Sequence, residues 1–131
     1  MENSYLIAAL KQSLLFQGLS DDALQKIAAK SKTRQFFPDE TIVWQGKASD
    51  SLFVIINGIV TVKKIVAADQ EHTLAYLFPG MTFGEVGILE NQPRSATVYS
   101  LSDVDCLAIR RQDFLDILHE YPKVAIELAK L

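Results

Sequence analysis

The sequence predicts a mainly β fold flanked by helices, and three features carry that expectation. Helical spacing of apolar residues is confined to the two ends of the chain, over 3–31 and after 110. Between those ends, short β-branched or aromatic runs are separated by turn residues. Asn57-Gly58 stands between two such runs, 52–56 and 59–66, and is the strongest local hairpin signal in the chain. About six or more short strands at this spacing point to a barrel, roll or sandwich rather than to an alternating parallel sheet. The expected order is helices, a β-roll, then a helix.

Within 5–31, Ser20-Asp21-Asp22 offers an N-cap followed by two carboxylates facing the positive end of a helix. Leu19 and Leu24 stand where a hydrophobic staple places them, so a helix is expected from about residue 20 to 31. Pro38-Asp39-Glu40, Gln45-Gly46, Ala68-Asp69-Gln70, Pro79-Gly80 and Ser102-Asp103 then punctuate the strands. A type I′ turn at Asn57-Gly58 takes positive φ at both central positions, and the strands on either side are expected to be antiparallel neighbours. Trp44 is expected in the core, and Cys106, next to Leu107 in a strand, as a small buried hydrophobe. After Arg110, Phe114, Ile117, Leu118 and Tyr121 form one helical face, Pro122 interrupts it, and 124–131 resumes the period. Arg110-Arg111-Gln112-Asp113 is expected to open a solvated helix face.

A chain of 131 residues, 49% hydrophobic, has the apolar side chains for the core of one ordinary domain, and a single domain over 1–131 is expected. The net charge of −3 leaves no excess of cations to neutralise a nucleic-acid polymer, so none is expected as a partner. A small anion needs only one local positive pocket. The lone Cys106 cannot close an intrachain disulfide, and the N-terminus lacks the order of a signal peptide; a cytoplasmic location is expected. The most apolar stretch, 52–62, is too short to span a bilayer as a helix, so no membrane partner is expected. His72 and His119 fall in different elements without metal-site spacing, and no local motif arranges a nucleophile with a base. No metal ligand and no catalytic residue are assigned.

Residues 83–98 break the strand pattern. Gly84 and Gly87 leave the backbone bare, and a single helical turn over about 85–89 would present unpaired N–H groups at its start, a ready anion site. Pro93 disfavours helix at Gln92 and is expected to stop the turn, so that Arg94 begins the next strand, 95–99. The planar fork of an arginine suits two oxygens of one phosphate. Glu85 cannot hold a phosphate but can accept a hydrogen bond from a sugar hydroxyl. Side by side, the two imply a sugar phosphate.

Phe83-Gly84-Glu85, eight intervening residues, then Arg94-Ser95-Ala96-Thr97-Val98, with Pro93 just before the arginine, resemble the phosphate-binding cassette of the cyclic nucleotide-binding domain family. This is the type found in catabolite activator protein and in the regulatory subunits of cyclic-AMP-dependent kinase. Phe16-Gln17-Gly18-Leu19-Ser20, Pro38-Asp39-Glu40-Thr41-Ile42, Gln45-Gly46 and Asn57-Gly58-Ile59-Val60 extend the resemblance over about 14–131. It implies an antiparallel β-roll of the double-stranded β-helix, or jelly-roll, type: a helical part over 3–31, the roll over 32–110 including the cassette 83–98, and a C-terminal helix over 111–131.

The resemblance also implies roles. Glu85 matches the acceptor of the ribose 2′-hydroxyl, and Arg94 the partner of the cyclic phosphate. Gly84, Val86, Gly87 and Ser95 match positions that lend backbone N–H groups, with the Ser95 hydroxyl as a further donor. The implied ligand is cyclic AMP, with cyclic GMP as the other choice, because a hydroxyl at Ser95 could also reach a guanine amino group. No cofactor and no catalysis are implied, and the module would act as a switch through its C-terminal helix. Gly87 departs from the family, which more often has Ala or Ser there, at a helix-propensity cost of about 1 kcal/mol. Leu131 ends the chain within or just after the helix that precedes the family's lid helix, which implies a missing output domain or a homodimer. Two rival readings are the same fold acting as a protein-interaction module or on another ligand, and a cupin-like metalloenzyme.

Overall fold

The computed structural model of the chain describes residues 3–131. Two helices come first, α1 (Asn3–Gln12) and α2 (Asp21–Lys30). Ser20 caps α2 from an extended backbone, its Oγ accepting the Ala23 N–H at 3.2 Å. Leu24 is buried behind it and Leu19 packs on the same cluster, the staple that the sequence predicts. Eight strands follow: β1 (Lys32–Phe36), β2 (Thr41–Val43), β3 (Ser51–Asn57), β4 (Val60–Ala67), β5 (Gln70–Leu77), β6 (Thr82–Phe83), β7 (Thr97–Ser100) and β8 (Val104–Arg110). The short helix α3 (Glu85–Glu90) lies between β6 and β7. Beyond β8 come α4 (Arg111–Glu120) and α5 (Pro122–Ala129), separated at Pro122, which takes the first-turn position a proline tolerates.

The strands form two antiparallel sheets, in the orders β1-β8-β3-β6 and β2-β7-β4-β5. The first sheet is covered on both faces, which explains why 52–56 is apolar without alternation. Along β3, Leu52, Val54 and Ile56 face a helical core with Leu10, Phe16, Leu24, Phe114, Ile117 and Val124. Phe53 and Ile55 face the other way, into a core between the sheets with Val43, Val60 and Val98. Strand β8 divides likewise, Leu107 and Ile109 against Cys106 and Ala108. The result is helices, sheet and sheet in layers, the expected β-roll. Cys106 is fully buried, and desolvation pushes its thiol up to about 12, so it is an inert core residue.

The hairpin expected at Asn57-Gly58 does not form. Strand β3 pairs with β8 and β6, whereas β4 pairs with β5 and β7, so the chain crosses from one sheet to the other at this corner. Gly58 takes φ +92° but Asn57 is not left-handed, so the type I′ requirement fails. Tertiary contacts decide the outcome. Asn57 Nδ2 donates to the Tyr5 hydroxyl at 2.7 Å, and the Ile59 N–H to Ser102 Oγ at 3.1 Å. The Asp103 carbonyl fills the space that a Cβ on Gly58 would need.

Trp44 is 58% exposed, contrary to expectation, because its neighbour Val43 takes the inward side of β2. The tetrad 110–113 is not wholly solvated either. The Arg111 N–H donates to the Asp50 carbonyl at 2.9 Å, and its Nε to the Ile88 carbonyl at 3.1 Å, tying α4 to α3. Among the described residues, no helix is long and apolar enough to cross a membrane.

Candidate functional site

Helix α3 begins at Gly84, whose φ of +95° belongs to the left-handed region and favours glycine. Ile88 anchors the helix in the core, while Val86 is 57% exposed on its outer side. The first intrahelical bond runs from the Ile88 N–H to the Gly84 carbonyl, so the amides of Glu85, Val86 and Gly87 precede the helical ladder. The helix is closed by Asn91 in the left-handed conformation, its N–H bonding the Gly87 carbonyl, and not by Pro93. Arg94 does not open a strand: β7 starts at Thr97, and Arg94 lies in the loop before it.

That loop is fixed by a second one, between β2 and β3. The Arg94 N–H donates to the Lys47 carbonyl at 2.7 Å, and the Gly46 N–H to the Arg94 carbonyl at 2.8 Å. Arg94 is only 6% exposed. Its Nη2 donates to the Ser51 carbonyl at 2.7 Å and stands 3.4 Å from Asp50 Oδ1. The guanidinium lies 5.8 Å from the centroid of Phe53, which stacks on Phe83 at 4.9 Å. These contacts orient Nη2 and leave Nη1 buried without a partner.

Glu85 Oε2 is the other buried side-chain atom without a partner among the described residues. Burial pushes its carboxyl above the ordinary value; its own amide and the positive Arg94 pull the other way. Arg94 is pulled below the ordinary arginine value by burial, opposed by Asp50 and Glu85. Each group is therefore desolvated more than it is compensated, an arrangement that marks functional sites.

Both residues line one cavity of about 320 Å³. Gly84, Val86, Gly87 and Ser95 line it as well, so all six sequence-predicted residues come together. Val43, Val62, Leu77, Ala96 and Val98 give it an apolar stretch of wall, and Ser49, Thr82, Glu90 and Gln92 line it too. Nothing beyond Val98 in the chain contributes to it. The cavity thus offers partners for an anion and for hydroxyls, and an apolar surface for a flat ring. Ser49, Asp50 and Ser51, which also shape the site, carry no sequence signal, because their roles arise only where two loops meet. His72 on β5 and His119 on α4 stay apart, and among the described residues no group of three or more His, Cys, Asp or Glu is placed to hold a metal.

A family model described as the cyclic nucleotide-binding domain matches residues 33–121. The chain belongs to this family. It is 33% identical over 122 residues to the cyclic AMP receptor protein of Thermus thermophilus, covering 93% of this chain and 56% of the relative. The crystal structure of the Thermus thermophilus catabolite activator protein superimposes with a TM-score of 0.83 at 32% identity, covering 90% of this chain and 55% of that one. The regulatory domain of Toxoplasma gondii PKA, co-crystallised with cAMP, gives a TM-score of 0.80 at 27% identity over 88% of this chain and 44% of that one. The chain spans about half the length of these three relatives.

Proposed function

We propose that this chain is a sensor of cyclic AMP that holds the ligand at Glu85 and Arg94 and catalyses nothing itself. One observation carries the reading: the two buried side-chain atoms without partners, Glu85 Oε2 and Arg94 Nη1, belong to residues lining the same cavity. An anion at Arg94 supplies the acceptor that Nη1 lacks, and a ribose 2′-hydroxyl supplies the donor that Glu85 lacks. The amides of Gly84, Val86, Gly87 and Ser95 and the Ser95 hydroxyl add donors around the phosphate. The apolar wall takes the base.

The cyclic AMP receptor protein of Thermus thermophilus and the cAMP co-crystal of Toxoplasma gondii PKA support cyclic AMP as the ligand, with cyclic GMP second. We place this module, one domain over 1–131, in the cytoplasm, with no nucleic acid bound by the chain and its output read through a homodimer or a further domain. Ligand acts by binding one arrangement of the cassette more tightly than another, since equal affinity for both shifts nothing. Calorimetric titration with cyclic AMP, cyclic GMP and 2′-deoxy cyclic AMP tests the reading. Micromolar or tighter binding of cyclic AMP is expected, and no binding at millimolar ligand overturns it.

A further inference from the structure

Gly87 has no reason to be glycine within its own helix. Its backbone is helical, with no left-handed φ, and alanine favours a helix more. What excludes a side chain is Ser49, on the loop between β2 and β3. A Cβ on Gly87 would stand 2.8 Å from Ser49 Cβ and closer still to Ser49 Oγ. That Oγ donates to the Gln92 carbonyl at 2.7 Å, and the Gln92 N–H donates to the Gly87 carbonyl at 3.0 Å. Ser49 therefore touches both ends of the segment that separates Glu85 from Arg94. The same loop grips the Arg94 backbone through Gly46 and Lys47.

We infer that Ser49 and Gly87 form an interlocked pair through which the 46–50 loop sets the spacing between the α3 amides and the Arg94 guanidinium. Ser49 is thus a positioning residue for the ligand; this rests on the cyclic-nucleotide reading given above. The two halves of the site are fastened separately, Arg94 to Lys47 and Ser51, and α3 to Ser49. Bulk added at Gly87 meets the Ser49 Oγ and Cβ and, at 3.2 Å, the Gln92 carbonyl, and must push α3 away from the loop, moving the Val86 and Gly87 amides while Arg94 stays. Taking bulk away at position 49 leaves only the Gln92 carbonyl, 3.2 Å from the added Cβ, to shift by a few tenths of an ångström. The pair is exchangeable.

The test is a double-mutant cycle on the 131-residue chain, with cyclic AMP titrated by calorimetry and folding followed by circular dichroism. Gly87→Ala should bind about tenfold or more weakly than the parent, whereas the same change made in a Ser49→Gly background should cost about threefold or less, bringing the double variant close to Ser49→Gly alone. A Gly87→Ala change that costs as much in the Ser49→Gly background as in the parent, or a Gly87→Ala that binds like the parent, overturns the inference. Should Gly87→Ala not fold, Ser49→Ala decides, since it removes only the hydroxyl that holds Gln92. It should bind about threefold or more weakly, and unchanged affinity overturns the positioning role. A parent that binds no cyclic AMP brings down the ligand reading and this inference together, whereas a binding parent without rescue removes this inference alone.

Discussion

Arg94 lies in the space that a side chain on Gly84 would occupy: a Cβ built there falls inside contact distance of Nη1 and 3.0 Å from the Ser51 carbonyl. Gly84 thus serves twice, as the left-handed start of α3 and as the gap through which the guanidinium reaches the cavity. Gly84→Ala should therefore lower both stability and affinity. The φ of +95° alone is expected to cost about 1–3 kcal/mol. Gly18→Ala, with nothing within 4 Å of its Cβ, serves as the control. Urea midpoints of the two variants check the first effect and calorimetry the second; equal midpoints would count against the strain.

Truncation of Arg94 should weaken cyclic AMP by about 2–5 kcal/mol, the range for losing one partner of a buried charge pair. Arg94→Lys keeps the charge without the planar fork, and its ammonium cannot serve Ser51 and the phosphate with the same geometry. It should be closer to Arg94→Ala than to the parent. A folded Arg94→Ala that binds within about threefold of the parent removes the phosphate role.

For Glu85 the pH dependence has opposite signs in the free and bound states. Its folded pKa lies above the unfolded value of about 4.5 because of burial, so the folded chain holds the proton to higher pH. Its contribution to the stability of the free chain is complete below the unfolded value and is lost as pH rises through the raised one. Ligand affinity should run the other way, rising with pH over that window as the carboxylate becomes able to accept the 2′-hydroxyl. Glu85→Gln should flatten that part of the profile and bind better than Glu85→Ala. Parallel profiles for the parent and Glu85→Gln, or equal affinity for the 2′-deoxy ligand, remove Glu85 from ribose recognition.

Adenine and guanine should be poorly distinguished by the 131-residue chain. No residue after Val98 lines the cavity, and Val124 of α5 is buried in the helical core instead of facing the base. The expected preference is below about 1.4 kcal/mol, a tenfold ratio. Side-by-side titration with cyclic AMP and cyclic GMP measures it; a hundredfold preference would show that Ser95 or the apolar wall reads the base edge.

Features set by local chemistry were legible in the sequence. Ser20 with two acidic residues behind it located α2, and the Gly84-to-Gly87 stretch located α3, because caps and glycines act on their own few residues. The β3 run was legible as a strand from its β-branched and aromatic residues, and β8 in part through Cys106 and Leu107. Partners were not. Asn57-Gly58 has the chemistry of a tight turn, yet Tyr5, Ser102 and Asp103, all distant in sequence, hold it as a corner between sheets. Trp44 gave no sign of facing outward, since a three-residue strand carries too little alternation to show which side is in. Glu85 and Arg94 were readable from a cassette of fixed spacing, whereas Asp50 and Ser51 approach Arg94 from more than forty residues away.

Strand β8 sits between β1 and β3, so residues 32–36 find their hydrogen-bonding partners only among 104–110. During synthesis the first sheet therefore cannot close until almost the whole roll has left the ribosome. Such sequence-distant pairing makes assembly slow relative to a helical bundle of the same size, on the order of milliseconds to seconds. Until β8 inserts, the apolar edge of β3 stays open to other nascent chains. Any cut or fusion placed between 100 and 110 removes the strand that joins the beginning of this chain to its middle.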